Sequence, residues 1–511
     1  MRSKKSLKNI FYSFLFNLVF TFLLFVSRAV FLNHFNADYL GLTTIITNII
    51  GVLSITELGI TSAIGYALYT HLKSGNYNKI NELMKFIKQL YIVVGILIFT
   101  IGLLILPFFD LIFTSNIEKG TVQVTYLLFL ITTVTSYFFT YKQVLIVSDQ
   151  NMYVVTNVTG IIRIIRTLLQ IILIIFFENY FLWIFLELIG NLLTYIIINR
   201  AVTKRYKWLN LKGSKSLKVL WQENKDVIIN IKNLMFHKLS GIITNQTDSI
   251  IISIVSTARD IALYSNYLLV VNGIVNFSTQ IFSGLTASIG NLITEKNKEK
   301  SYNVFLQLYY FEFFVGVILT YVLYKMINPF IEVWIGSQYL FTNIFIIVIS
   351  INFFIQVTRR TVDFFKDGFG IFSDIYAPLI QGLLNLIISL IFGYEFGIIG
   401  VYIGTFISSL PIISIWRPYI LYRRGFGISF KYYFINVYKL VGLSFLVIII
   451  FEMLGKYVDY KIGNWKEWIV YSTILTSLFS FVLFVFYMCL KPFREMILRG
   501  THTINSIIKR N

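Results

Sequence analysis

Long apolar runs constrain this chain more than any other feature. About fourteen stretches approach or exceed the roughly 20 apolar residues that a helix needs to cross the hydrocarbon core of a bilayer, and only short polar breaks separate them. They fall at residues 10–32, 40–70, 88–112, 122–147, 154–177, 180–199, 230–255, 262–293, 303–327, 339–358, 375–392, 398–418, 436–454 and 468–490. Backbone amides in lipid find no water to bond, so runs of this length satisfy themselves as helices. Composition agrees, because 57% of the 511 residues are hydrophobic and 13% are charged, against about 25% charged in soluble globular proteins. A water-soluble enzyme is excluded, and the expected fold is an all-α polytopic membrane protein.

The first run follows Met1-Arg2-Ser3-Lys4-Lys5. It is too long for the core of a signal peptide and no small-residue cleavage site follows it, so it reads as a permanent span. The chain carries 44 Lys and Arg against 24 Asp and Glu, a formal charge of +20. With a cytoplasmic N-terminus, the even-numbered breaks and the two termini collect about 34 of those cations, which places both termini in the cytoplasm by the positive-inside rule. The longest polar segment, residues 200–226, carries Lys204, Arg205, Lys207, Lys212, Lys215, Lys218 and Lys225. It reads as a basic cytoplasmic linker resting on anionic headgroups, with Trp208 and Trp221 at the interface, and a dedicated partner site is the alternative.

That segment separates six runs from eight, and the two parts repeat. At a shift of about 222–225 residues, Gly59-Ile-Thr-Ser-Ala-Ile-Gly65 lies over Gly284-Leu-Thr-Ala-Ser-Ile-Gly290, and Pro107-Phe108 lies over Pro329-Phe330. Six spans between corresponding points bring the second copy into the membrane in the same direction as the first. The expected organisation is therefore a six-helix bundle (1–199), the linker (200–229), a second bundle (230–425), two extra spans (426–490) and a cytoplasmic tail (491–511). The two parallel bundles are expected to face a central cavity, as in an alternating-access transporter.

Charges inside the runs are the candidate site. An arginine at a helix centre costs about 2.5–3.5 kcal/mol on insertion scales, so each needs a partner, water or a route to the surface. Four cations are placed within spans: Arg28, Arg163, Arg166 and Lys238. Arg163 and Arg166 are three apart and share one helix face, which favours a wet cavity, whereas Arg28 lies close enough to the outer edge for snorkelling to compete. Asp248, ten residues after Lys238 and just beyond Asn245, has two readings: it neutralises a cavity arginine, or it binds a coupling cation or proton. Glu57 carries the same ambiguity. Arg359, Arg360 and Asp363 read as interfacial, with a cytoplasmic gate as the alternative. Against these cations stand Glu57, Asp248 and Glu187, so the cavity is cationic on balance and suited to an anion. Arginine's planar fork fits phosphate in particular.

The single cysteine, Cys489, and the four dispersed histidines exclude a disulfide framework and give no metal-ligand spacing. No metal and no cofactor are expected beyond a proton or sodium gradient as energy source.

Tyr39-Leu-Gly-Leu-Thr-Thr-Ile-Ile-Thr-Asn48 and Thr56-Glu-Leu-Gly-Ile-Thr-Ser-Ala-Ile-Gly65 are joined further on by Tyr141-Lys-Gln-Val-Leu-Ile146, Asn245-Gln-Thr-Asp248 and Gly397-Ile-Ile-Gly-Val-Tyr-Ile-Gly404. In this order, up to about residue 425, the chain resembles the bacterial polysaccharide flippases. These are the O-antigen and capsular repeat-unit transporters, relatives of the multidrug and toxic compound extrusion (MATE) carriers. The resemblance implies a polyprenyl-pyrophosphate-linked oligosaccharide that is moved from the inner to the outer leaflet of the bacterial cytoplasmic membrane for surface polysaccharide assembly. It also implies Arg28, Arg163 and Arg166 as head-group ligands and Asp248 as the coupling or charge-balancing group. Implied partners are the lipid-linked oligosaccharide, membrane lipids, a polysaccharide polymerase and other assembly proteins; nothing points to nucleic acid. A cation-coupled multidrug antiporter is the alternative, but it would want an acidic cavity. A membrane glycosyltransferase or polymerase would want paired carboxylates, and Asp459 and Glu467 on the largest external break offer no such pair.

Overall fold

Asparagines punctuate the apolar sequence, and four of them start helices. The side chain of Asn76 accepts from Lys79 N at 3.1 Å, Asn179 from Leu182 N at 3.1 Å, Asn297 from Lys300 N at 2.9 Å and Asn464 from Glu467 N at 3.0 Å. Each bond satisfies an amide that has no partner within its own helix, which is why a break of a few residues suffices between spans. The computed structural model describes residues 2–54, 60–108, 117–211, 217–229, 231–232, 248, 251–283, 285–371, 376–455 and 462–508.

The chain is an all-α polytopic membrane protein. Among the described residues eleven helices are long and apolar enough to cross a membrane, and the helix Ala37–Leu53 is a shorter apolar one. The chain divides into two compact units, residues 1–262 and 263–511.

The first unit contains α1 (Arg2–His34), α2 (Ala37–Leu53), α3 (Ile60–Ser74), α4 (Tyr77–Ile105), α5 (Lys119–Ser148), α6 (Met152–Phe177), α7 (Tyr180–Arg205) and the short α8 (Leu217–Glu223). Its main helix pairs are α1 with α6, α5 with α7, α4 with α5 and α6 with α7. The run expected as one span over 40–70 is two helices, α2 and α3. The basic segment after α7 is not simply laid on headgroups. Trp208 lies tilted against Tyr77 with centroids 4.4 Å apart, Trp221 meets Phe86 edge-on, and Leu220 and Asn224 are buried. Apolar residues at that spacing dock the segment onto α4. Nearby, Asp149 accepts from the Tyr206 hydroxyl at 2.8 Å and ties the end of α5 to that of α7. Burial and this carboxylate push the Tyr206 hydroxyl above its usual range.

From α9 (Ala258–Ser283) onward the second unit contains α10 (Leu285–Thr294), α11 (Lys298–Ile335), α12 (Asn343–Thr358), α13 (Arg360–Gly368), α14 (Tyr376–Ser409), α15 (Arg417–Ile420), α16 (Lys431–Gly455), α17 (Trp465–Tyr487) and α18 (Lys491–Ile508). Helix starts repeat the spacing seen in the sequence: Ala37 with Ala258, Tyr77 with Lys298, Lys119 with Asn343, and Met152 with Tyr376. The helices beyond the repeat pack on α11. Tyr321 stacks on Phe479 at 4.2 Å, Lys325 pairs with Glu452 at 2.7 Å, and Phe493 of α18 lies against Phe314 at 5.0 Å. The segment expected as a tail is thus a helix docked through an aromatic residue.

The runs at 375–392 and 398–418 are two helical arms that meet at Gly397 (φ 59°, ψ −139°), where α14 folds back on itself. Ser389 Oγ donates to Val401 O at 3.0 Å and Asn385 Nδ2 to Thr405 Oγ1 at 3.1 Å, so the two arms run antiparallel. Arms this close need small residues, and Gly400 lies beside the Phe392 carbonyl and Gly404 beside Ser389. Only glycine adopts the Gly397 conformation without strain. Nothing lies within 4 Å of a Cβ built there, so Gly397→Ala tests the backbone alone. It is expected to cost about 1–3 kcal/mol, read as a lower melting temperature of the purified protein; an unchanged melting temperature contradicts the hairpin.

Candidate functional site

In the first unit the candidate cations stand on α1 and α6, and geometry sets their relative height. Gly160 of α6 lets Phe16 of α1 come close, since a Cβ there would sit 2.5 Å from the Phe16 ring. One turn further along both helices, the Arg163 guanidinium lies over the Phe20 ring, 4.7 Å from its centroid. The helices therefore run parallel here, and at about 1.5 Å per residue Arg28 lies about 7 Å beyond Arg166 along the axis. Higher still, Phe31 meets Trp183 of α7 at 5.1 Å.

Arg166 turns toward α7. Its Nη1 pairs with Glu187 Oε1 at 2.6 Å, with the side chains 14% and 24% exposed. Gly190 makes room for the arginine stem, because a Cβ there would lie 2.6 Å from Arg166 Cδ. One turn along, Gln170 is buried and donates to the Trp183 carbonyl at 3.0 Å and to Glu187 Oε2 at 3.5 Å. Glu187 is thus a carboxylate that neutralises Arg166. Arg163 is exposed and, among the described residues, has no carboxylate within ion-pair distance. Among the described residues, Glu187 neutralises Arg166 and leaves the charge of Arg163 available to an anion.

A second charged cluster lies in the second unit, where the sequence suggests an interface or gate. The break between α12 and α13 leaves helix-start amides that need acceptors in a buried setting. Glu312 of α11 supplies them, accepting from Arg360 N at 3.1 Å and Thr361 N at 2.9 Å. Its side chain is buried, as is that of Arg360, whose guanidinium donates to Ser278 Oγ at 2.6 Å and Val275 O at 3.1 Å. Asp363 is shared by Arg417 Nη1 at 2.7 Å and Arg359 Nε at 3.7 Å. Arg359, Arg360 and Asp363 therefore belong to a packed network joining α9, α11, α12, α13 and α15.

Two members of the second cluster, Glu312 and Arg417, and the ion pair of Lys325 with Glu452 are not singled out by the apolar runs. Glu312, Lys325, Glu452 and Arg417 all lie within helices long enough to span, so the intramembrane charges exceed the four cations and three carboxylates that the runs suggest. A signal is present for Glu312, which stands alone in the aromatic run Tyr309-Tyr310-Phe311-Glu312-Phe313-Phe314. Glu57, Lys238 and Asn245 lie outside the described residues. Asp248 is described and half-buried, but the residues on either side of it are outside.

No family model matches the sequence, and no curated protein matches it. Among solved structures the chain is similar to one described as "Lipid II flippase MurJ, inward closed conformation", with a TM-score of 0.66 and 16% identity, covering 94% of this chain and 98% of that one. It is also similar to the Vibrio cholerae MATE transporter VcmN, with a TM-score of 0.49 and 16% identity over 83% of this chain and 97% of that one. An inward-facing MATE family transporter of the MOP superfamily gives 0.49 and 12% over 80% and 93%. The likeness to the lipid II flippase shows the fold: nearly the whole chain follows that architecture.

Proposed function

We propose that this protein is an alternating-access flippase that moves a polyprenyl-pyrophosphate-linked oligosaccharide repeat unit from the inner to the outer leaflet of a bacterial cytoplasmic membrane, for capsule or other surface polysaccharide assembly. Both termini lie in the cytoplasm on this reading, as the distribution of Lys and Arg favours. The protein whose fold it shares is described as a lipid II flippase. The observation that carries the reading is the uncompensated charge on α6. Arg163 stands exposed one turn from a neutralised Arg166, which suits a multiply charged pyrophosphate and not the cation that an antiporter would export. Arg28, Arg163, Arg166 and Lys238 bind the head group in this account, and Arg359, Arg360 and Asp363 belong to the gate that excludes the cytoplasm.

The purified protein is expected to melt at a higher temperature with a polyprenyl pyrophosphate than with the same polyprenol uncharged, because a ligand stabilises the state it binds. Equal melting with both lipids contradicts a pyrophosphate site. Asp248, with Glu57 and Asn245 nearby in function, is assigned to coupling or charge balance. If it couples, Asp248→Asn removes the dependence of transport on a proton or sodium gradient; if it only balances charge, the dependence persists while the rate falls.

A further inference from the structure

A cleft of about 550 Å³ opens between the C-terminal halves of α5 and α7, and it is lined by cations. From α5 come Phe139 and Lys142, one turn apart. On α7, Ile196, Arg200, Thr203 and Lys204 recur at the three- and four-residue spacing of a single helix face, and Lys207 follows just past its end. Lys142 is half-buried and reaches across to donate to Thr203 Oγ1 at 3.3 Å. No carboxylate lines the cleft, and among the described residues none of its four cations has an ion-pair partner. The neighbouring Arg205, in contrast, lies 3.9 Å from Asp149.

Basic residues at a helix C-terminus are ordinary, because they complement the dipole and follow the positive-inside rule. Those rules call for cations at the end of each helix; they do not call for convergence on one cleft, nor for Lys142 to stand well inside α5. The lining is also graded. Phe139 and Ile196 lie deeper along their helices than the cations, so the cleft is apolar toward the membrane interior and basic at its mouth. That order matches a lipid, with chains inward and phosphate outward.

We propose that this cleft is a binding site for the phosphodiester headgroup of an acidic glycerophospholipid. Lys142, Arg200, Lys204 and Lys207 hold the phosphate oxygens through charge-assisted bonds, and Phe139 and Ile196 cover the start of an acyl chain. The site lies toward the C-terminal ends of α5 and α7, apart from the arginines of α1 and α6, and the inference stands whether or not the transported substrate is a pyrophosphate lipid.

The test uses the full-length protein in nanodiscs of phosphatidylcholine containing a minority of phosphatidylglycerol, with retained lipid counted by native mass spectrometry after release. The wild type is expected to retain phosphatidylglycerol over phosphatidylcholine. Lys142→Gln, Lys204→Gln and Lys207→Gln together should reduce that preference at least about tenfold, given the strength of attraction per cation near an anionic surface. Removing the same charge elsewhere, through Lys73→Gln, Arg423→Gln and Lys431→Gln, should leave the preference unchanged. The proposal is overturned if both triple variants lose the preference equally, which would be bulk surface attraction. It is also overturned if millimolar inorganic phosphate displaces the lipid, which would mark a site for free phosphate. Melting temperatures of the two variants close to that of the wild type show that the folded protein is being compared.

Discussion

Arg163→Ala is expected to abolish export of the lipid-linked oligosaccharide while leaving the protein inserted and folded. The side chain is exposed, rests on the Phe20 ring and has no carboxylate partner among the described residues, so its removal breaks no ion pair that the fold depends on. What is lost is a cation for the substrate. Hydrogen bonds to charged groups contribute about 1.5–3 kcal/mol each, which is roughly ten- to hundredfold in binding. Arg163→Lys keeps the charge but not the fork, and falls between the two. The measurement is surface polysaccharide per unit of membrane-inserted protein, with the melting temperature as control. Wild-type export by the alanine variant contradicts the assignment.

Arg166 behaves differently because it is partnered. Arg166→Ala leaves Glu187 as a half-buried carboxylate without its 2.6 Å partner, so lost stability and lost transport arrive together. Changing Glu187 to Gln in the same chain restores stability without restoring transport. That contrast separates the structural half of the pair from the part offered to substrate.

Glu312→Ala carries the largest expected cost in stability. The carboxylate caps the start of α13 with both oxygens and lies beside the buried Arg360. Its removal leaves two helix-start amides without their acceptor and a buried guanidinium without its neighbouring carboxylate. Breaking a buried charged partnership typically costs about 3–5 kcal/mol, enough to lower yield and melting temperature sharply. Glu312→Gln keeps one acceptor oxygen and is expected to lose less. A melting temperature unchanged in the alanine variant would show that the α12–α13 break is satisfied in another way.

Much of the architecture is legible in the run lengths. Apolar segments long enough to cross the bilayer have one way to satisfy their backbone in lipid, and the asparagines that start α4, α7, α11 and α17 stand visibly in the breaks. The same shift that aligns two prolines also aligns helix starts. What the pattern conceals is pairing. Glu187 is visible as a carboxylate on the helix that follows Arg166, yet only the close approach permitted by Gly190 makes it the partner. Glu312 and Arg360 stand on helices separated by a whole further helix, α12. An α13 start in need of an acceptor cannot be inferred from hydropathy, because the apolar run ends at residue 358 and the charged α13 that follows it, Arg360–Gly368, reads as a polar break. The hairpin at Gly397 reads as two spans for the right reason, a glycine between apolar runs, although its arms pack closer than any loop would allow. For the basic segment after α7, charge suggests a linker, but Trp208, Leu220 and Trp221 fix it to α4.

Under the proposed function, cations on α6 carry a pyrophosphate-bearing lipid between leaflets. Its most direct test reconstitutes the wild type and the Arg163→Ala/Arg166→Ala/Glu187→Gln variant in liposomes, with a fluorescent polyprenyl-pyrophosphate oligosaccharide in the membrane. Transfer between leaflets is then followed by the accessibility of the label to an impermeant quencher. Rapid equilibration is expected with the wild type, and with the variant a rate no faster than that of protein-free liposomes. Equilibration at the wild-type rate in the variant would contradict it.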